Sequence, residues 1–323
     1  MSEALSKPTG RLLSLDFYRG LTMFLLIAEF SHLFSYLVSP ELKGTFIHDL
    51  GMQFHHVRWE GLRFWDLIQP FFTFIVGVAM PLSFAKRMSK GDSYNELTKH
   101  ALKRAFLLLL FGWGLYCIGP GEIVFRFQNV LAQLGVSYVL TFLVIRKSVV
   151  IQIGFSVLLI LVSEGLYRFF PVEGFTNAFV AGENFGAWVN VLISGSEDGG
   201  HWAMFNAIPT TAHMIWGVLA GQLLMGNFST KKKLMLLVGT GILGLIIGYG
   251  LSPFTPIIKR ISTSTFVFAC GGWALIALAL CYWLIDVKKY QKGVLFFAII
   301  GMNPLSIYLF AHVGGADLIK TVF

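Results

Sequence analysis

The sequence predicts an all-α fold, a polytopic integral membrane helical bundle of about nine transmembrane helices with its N-terminus in the cytoplasm. Three observations carry this expectation. Hydrophobic residues make up 55% of the chain and charged residues only 13%, and the mean hydropathy is +0.70, which leaves too little polar surface to clothe a water-soluble globule of 323 residues. The apolar residues fall in runs that approach or reach the roughly 20 residues a helix needs to cross a hydrocarbon core. Between the runs, Lys and Arg alternate in density from one connection to the next, as the positive-inside rule requires.

The runs lie near Leu15–Val38, Leu67–Phe84, Leu102–Ile118, Val130–Ile145, Val149–Tyr167, Ile208–Met225, Leu234–Leu251, Ser264–Ile285 and Val294–His312. Each is continuously apolar, whereas barrel strands alternate over about ten residues, so helices are expected throughout. The first run follows a largely polar segment, is too long for a signal-peptide core and contains Asp16, Arg19 and Glu29, so no cleavable leader is expected. Sixteen Lys and Arg fall on one side: Lys7, Arg11, the group from Lys86 to Arg104, Arg146, Lys147, Lys231 to Lys233, Lys288, Lys289 and Lys292. Eight fall on the other: Lys43, Arg58, Arg63, Arg126, Arg168, Lys259, Arg260 and Lys320. The richer side is read as cytoplasmic, and the net charge of +8 is accounted for by this bias and by anionic lipid, without nucleic acid. Cys117, Cys270 and Cys281 form no CxxC pair and are expected to pack in the core, so neither a metal site nor a disulfide framework is expected. No linker or repeat divides the chain, and one transmembrane domain over residues 1–323 is the economical reading.

Ionisable groups inside a bilayer cost several kcal/mol unless paired or hydrated, so each is a functional candidate. Asp16 and Arg19 stand three apart on one helix face near the cytoplasmic end; they suit either a structural ion pair or contact with the phosphates of a nucleotide-like cofactor. Glu29 and His32, also three apart, lie deeper toward the outer side and suit a proton relay or a substrate contact. The densest cluster runs from His55 to Asp66, straight into the second run, and comprises His55, His56, Arg58, Trp59, Glu60, Arg63 and Asp66. It joins a candidate base or nucleophile to acids and cations next to a water-poor environment. An interfacial belt also uses Trp and Arg, but it has no need of adjacent histidines flanked by carboxylates. Further candidates are His213 with Thr210 and Thr211, which also suits a bond between helices, and Lys259-Arg260 followed by Ser262-Thr263-Ser264-Thr265, which suits an anion or a helix cap. The others are Asn303-Pro304 and His312 in the last run. Walker, GxSxG, HExxH and dinucleotide fingerprints are absent.

The order of these clusters resembles the heparan-α-glucosaminide N-acetyltransferase family of transmembrane acetyltransferases, in its bacterial-type members. The matching stretches are Ser14 to Gly20, His56 through Trp59, Gly61 and Asp66 to Pro70, Gly77 and Met80, and Val130-Leu131 with Gly135 to Tyr138. Later come Ile208-Pro209 with Gly217, Lys259 to Asp286, and Gly301 to Pro304. The resemblance implies an enzyme that takes an acetyl group from cytoplasmic acetyl-CoA to an amino sugar or glycan beyond the membrane, without a metal. It also places the family's histidine on His56. Here Glu29-Phe30-Ser31-His32 stands where the family usually carries Asn, Ala203 to Asn206 replaces Asp-Pro-Glu-Gly, and Asn129 to Gln133 replaces Gly-Val-Leu-Gln-Arg. The chain also ends at Phe323, short of the family's usual final helices.

On these grounds His56 is expected to be the central catalytic group, with Asp66, Glu60 and Glu29 orienting it or sharing its proton. Asp16, Arg19, His32, His55, Arg58, Trp59, Arg63, His213, Lys259, Arg260, Asn303 and His312 are expected to bind substrate or acyl-CoA. The partners are a small-molecule acyl donor, a sugar or glycan acceptor and the bilayer, with a homodimer left open. The rival readings are a permease for a small anionic or sugar-like substrate, and a catalytically inactive member that serves as scaffold or lipid binder.

Overall fold

The computed structural model describes residues 12–30, 33–118, 121–170 and 172–315, and over these the chain is helical without strands. The predicted first run divides into α1 (Leu13–Phe30) and the short α2 (Leu33–Leu37), followed by α3 (Phe46–Met52) in the first long connection. Then come α4 (Ile68–Met88), α5 (Tyr94–Ile118), α6 (Val130–Val144), α7 (Val149–Phe169), α8 (Phe185–Ser194), α9 (Ala207–Met225), α10 (Thr230–Gly250) and α11 (Ser264–Cys281). The last predicted run is broken into α12 (Val294–Ile300) and α13 (Pro304–Phe310). Starts are set by side chains that accept from otherwise unpaired backbone N–H groups: Asn129 from Ala132, Ser148 from Ile151, Asn184 from Ala187 and Ser229 from Lys232.

Among the described residues five helical stretches are long and apolar enough to cross a membrane: Phe64–Met88, Tyr94–Ile118, Val149–Phe169, Thr230–Gly250 and Ser264–Val287. A sixth exists if α12 and the stretch from Pro304 to Gly315, bent by 68° against each other, make one span. The break falls at Asn303, where Pro304 opens α13, a first-turn position that needs no N–H. The three other predicted runs also fold as helices but fall short of that measure for identifiable reasons. Helix α1 carries Asp16, Arg19 and Glu29, α6 is only 15 residues, and α9 is diluted by Thr210, Thr211, His213 and Gln222. Those polar residues sit inside the bundle, where they join helices: Thr211 donates to Ser137 of α6 at 3.2 Å, and Trp216 to Ser156 of α7 at 3.0 Å.

Helices α4 and α9 form the hub. On one side α4 packs with α1, α9, α10 and α11 around Phe71, Phe74, Val78, Leu224, Phe266 and Cys270. On the other it packs with α5, α6 and α9 around Met80, Phe84, Leu131, Tyr138, Met214 and Val218. The peripheral helices expose apolar faces, with Phe106 on α5, Leu161 on α7 and Ile246 on α10 each more than 60% exposed, as lipid contact demands. At the hub the two backbones meet directly. A Cβ on Gly77 would strike the carbonyl of Met214, and one on Gly217 would strike that of Phe74.

Gly217→Val is therefore expected to destabilise the detergent-solubilised protein by at least the roughly 1–3 kcal/mol of ordinary overpacking, seen as a lowered unfolding midpoint. Gly239→Val on α10, where an added Cβ meets nothing within 4 Å, is expected to leave the midpoint nearly unchanged.

Candidate functional site

Three connections meet at one end of the bundle. The segment from Gln53 to Arg63 enters α4, the segment from Gly195 to Asn206 enters α9, and the segment from Leu251 to Thr263 joins α10 to α11. Glu60 pairs with Ile258 through an isolated antiparallel bridge, and the Gly61 N–H donates to Ile257 O at 2.8 Å. Gly61 turns the chain there at φ +121°, a conformation L side chains rarely adopt. The Ala203 N–H donates to Arg260 O at 3.0 Å, which ties the second segment to the third. The hydroxyls after Arg260 serve the loop itself. Thr263 Oγ1 accepts from the Ile258 N–H at 3.0 Å and donates to Pro256 O at 2.8 Å, and Thr265 donates to the same carbonyl at 3.1 Å. These hydroxyls tie the connection to itself, and the Thr263 side chain makes no capping bond to the first turn of α11.

This framework turns Lys259 inward. Asp66, 1% exposed at the start of the α4 span, receives the Arg63 N–H at 3.1 Å and the Val57 N–H at 3.4 Å on Oδ2. Its Oδ1 stands 2.8 Å from His56 Nδ1 and 3.5 Å from Lys259 Nζ. Lys259 Nζ is also 3.2 Å from His56 Nδ1. A carboxylate only accepts, so in the neutral ring the Asp66 contact favours the proton on Nδ1, with the Lys259 ammonium turned to Asp66 rather than to Nδ1, and this tautomer leaves the Nε2 lone pair free. The His56 side chain is 36% exposed, which leaves that lone pair within reach of a substrate. Burial pushes the Lys259 ammonium below the ordinary lysine range, and the Asp66 carboxylate opposes the shift.

A cavity of about 300 Å³ opens beside this triad, at the small end of ligand-site volumes. Its wall includes Thr22, Met23, Leu26 and Glu29 of α1, Trp65, Ile68, Gln69 and Phe72 at the head of α4, Tyr116 of α5, and Gln128 to Val130 at the head of α6. His56, Trp202, Lys259, Tyr308 and His312 complete it. Trp65 Nε1 donates to Glu29 Oε1 at 3.0 Å. Trp202 stands edge-on to His56 at 6.1 Å between ring centroids, with the Lys259 ammonium 5.6 Å from its ring centre and the Arg260 guanidinium 5.4 Å away.

Of the residues singled out from sequence, His56, Asp66, Lys259, Glu29 and His312 come together here, the last stacked on Tyr308 at 4.0 Å. Their close neighbours hold the frame. His55 bonds Phe34 O at 3.2 Å, Trp59 donates to Phe179 O at 2.7 Å, Arg63 donates to His56 O at 3.4 Å, and Arg260 donates to Gly200 O. Arg58 and Glu60 are exposed, and the part Glu60 plays is that of its backbone. Asp16 and Arg19 pair at 3.3 Å at the opposite end of α1, where Arg19 also reaches Gly301 O at 3.3 Å. His213 is fully buried away from the cavity and bonds Val267 O at 2.9 Å, joining α9 to α11. Asn303 is exposed at the break before α13, and His32 lies outside the described residues. Sequence reasoning missed Trp202, Tyr116, Tyr308, Gln69 and Gln128. Trp202 lies in the connection between α8 and α9, and like the others it carries no charge to draw attention.

Residues 11–174, just over half of the chain, match the family described as Domain of unknown function (DUF5009). The chain belongs to that family. This DUF5009 protein is also similar to Heparan-alpha-glucosaminide N-acetyltransferase of Homo sapiens, at 25% identity over an alignment of 376 residues covering 94% of this chain and 53% of the relative. The enzyme of the same name from Mus musculus is 37% identical over 90 residues, 26% of this chain and 14% of the relative. The DUF5009 chain thus spans about half the length of the human relative it matches. Among the described residues no group of three or more His, Cys, Asp or Glu is placed to hold a metal ion.

Because Asp66 neutralises a buried ammonium, Asp66→Asn is expected to lower stability by roughly 3–5 kcal/mol, the penalty for one partner of a buried pair left alone. Adding Lys259→Met to that variant is expected to recover most of the loss, as a double-mutant cycle of unfolding midpoints will show.

Proposed function

We propose that this chain is a single transmembrane acyltransferase domain that moves an acetyl group from cytoplasmic acetyl-CoA to an amino sugar or glycan on the far side of the membrane. The observation that carries the reading is the His56–Asp66 pair, backed by Lys259 and set at the wall of a mostly apolar cavity. The relatives are heparan-α-glucosaminide N-acetyltransferases, and they supply the reaction class and the acceptor class. About nine spans with a cytoplasmic N-terminus, the topology read from charge, put the His56 end of every helix outside. The helix ends that meet the cavity (the C-terminal ends of α1, α5 and α13, and the N-terminal ends of α4 and α6) agree with that antiparallel alternation.

His56 acts as the base. With Nδ1–H held by Asp66, Nε2 takes the proton from the acceptor amine as its nitrogen attacks the thioester carbonyl carbon; the N–C bond forms, the C–S bond breaks, and His56 returns the proton to the departing thiolate. Asp66 fixes the tautomer and stabilises the transient imidazolium, as the carboxylate of a Ser-His-Asp triad does. Lys259 supplies the opposite charge that the buried Asp66 carboxylate needs. Glu29 faces the same cavity, and we assign it contact with the acceptor's amine.

The acyl donor fits one face of α1. Arg19, Thr22, Met23, Leu26 and Glu29 recur at three- and four-residue spacing, so Arg19 marks one end of a stripe whose other members line the cavity. From Arg19 to Glu29 the helix rises roughly 15 Å. The apolar stretch suits an extended thioester arm and the basic end suits a diphosphate, so Arg19 and its neighbours are assigned the nucleotide portion.

Purified protein in liposomes is expected to transfer acetyl groups from acetyl-CoA to glucosamine. His56→Ala is expected to lower the rate roughly a hundred- to ten-thousandfold while acetyl-CoA binding by calorimetry persists. Transfer by His56→Ala at the wild-type rate would remove the histidine from the chemistry, and substrate uptake into sealed vesicles with no acyl donor would instead favour a permease. Arg19→Ala is expected to weaken acetyl-CoA binding, with little effect on the rate at saturation.

A further inference from the structure

Gln128 stands out from the other polar groups around the cavity. Its side chain is 4% exposed, it lines the cavity, and neither Oε1 nor Nε2 meets a hydrogen-bond partner among the described residues. The adjoining carboxamides are spent on the protein: Asn129 Nδ2 donates to Gly112 O, Asn129 Oδ1 accepts the Ala132 N–H at 3.0 Å, and Gln69 donates to Gln133. Only the main chain of Gln128 is engaged, its carbonyl accepting from Gln133 Nε2 at 3.3 Å, and this fixes where the side chain begins. A buried donor and a buried acceptor left unmatched are each destabilising, so a side chain that keeps both without a protein partner points to a group that arrives from outside.

We infer that Gln128 is a ligand-binding residue of this cavity, its Nε2 donating to an amide carbonyl and its Oε1 accepting from an amide N–H of the bound substrate. Its chain neighbours on the cavity wall, Asn129 and Val130, are uncharged, and most of the lining is apolar or neutral, which suits a neutral ligand group that offers a carbonyl and an N–H. The inference rests on the acetyl-transfer reading, which brings two sources of such an amide to this cavity: the amides of the acyl donor's arm and the acetamido group of the product. Gln128 touches the substrate under either source, and its part is binding rather than proton transfer, because a carboxamide does not titrate.

The test uses the full chain in detergent, as wild type, Gln128→Leu and Gln128→Met, titrated by calorimetry with acetyl-CoA and separately with N-acetylglucosamine, alongside the unfolding midpoint of each protein without ligand. Both substitutions are expected to weaken one of the two ligands about ten- to hundredfold, the loss of one or two hydrogen bonds, and to leave the ligand-free midpoint unchanged or raised. Weakened acetyl-CoA with N-acetylglucosamine unaffected assigns the amide to the donor arm, and the reverse assigns it to the acetamido group. Binding of both ligands at wild-type strength by the variants overturns the inference and leaves the acetyl-transfer reading standing. So does a lowered ligand-free midpoint in both variants, which makes Gln128 structural. Wild-type protein that binds neither ligand removes the acetyl-transfer reading itself and the inference with it.

Discussion

A carboxylate shut away from water must be given hydrogen bonds and an opposite charge, and much of this molecule's extramembrane architecture answers that requirement at Asp66. Its four partners come from two distant parts of the chain. Two backbone N–H groups and the His56 ring belong to the turn just before α4, and Lys259 comes from the connection between α10 and α11. To deliver Lys259 at 3.5 Å, that connection is knotted on its own carbonyls by Thr263 and Thr265 and paired to the backbone of Glu60 and Gly61. Its flanks are anchored on α7 as well: Glu164 accepts from Thr255 and Ser264, both at 2.8 Å, while Arg168 reaches Phe254 O at 2.8 Å.

The same logic divides the bundle. Where helices meet protein on every side, small and polar residues are tolerated because the neighbour supplies the missing bond or the missing space, as at Thr211 and Ser137 or at Gly77 and Gly217. Where helices face outward, long apolar side chains on α5, α7 and α10 are left uncovered. The cavity lies between these regimes at one end of the bundle, with Glu29 of α1 held by Trp65 and His56 held by Asp66. Both ionisable groups are oriented by residues adjacent in sequence, so a single turn at the head of α4 sets the position of each.

The candidate site was partly legible in the sequence. Charged and titratable residues stand out in an apolar chain because the bilayer makes them costly, and this rule alone picked out Glu29, His56, Asp66, Lys259 and His312. The rule cannot separate a residue whose side chain faces the cavity from one whose backbone merely shapes the turn, so it also took in Arg58 and Glu60. Nor can it separate a cavity histidine from His213, which satisfies a neighbouring helix's carbonyl. It is silent on neutral residues. Gln128, Tyr116 and Trp202 matter through where their side chains point, and nothing in their local sequence records that direction.

The sequence by itself determined that the chain is helical and that its apolar runs are of membrane-crossing character, since hydropathy and run length are local properties that each segment carries alone. It also determined which ionisable residues must find a use, because burial of a charge is costly in any fold. Only the tertiary structure decided which of them meet. The distance from His56 to Lys259 spans about two hundred residues of chain and depends on α4, α9 and α11 packing at fixed heights, on a bridge between two connections and on the hydroxyls that turn Lys259 inward. Those are long-range geometric facts, set by side-chain complementarity among helices, and a pattern read along one chain holds no measure of them.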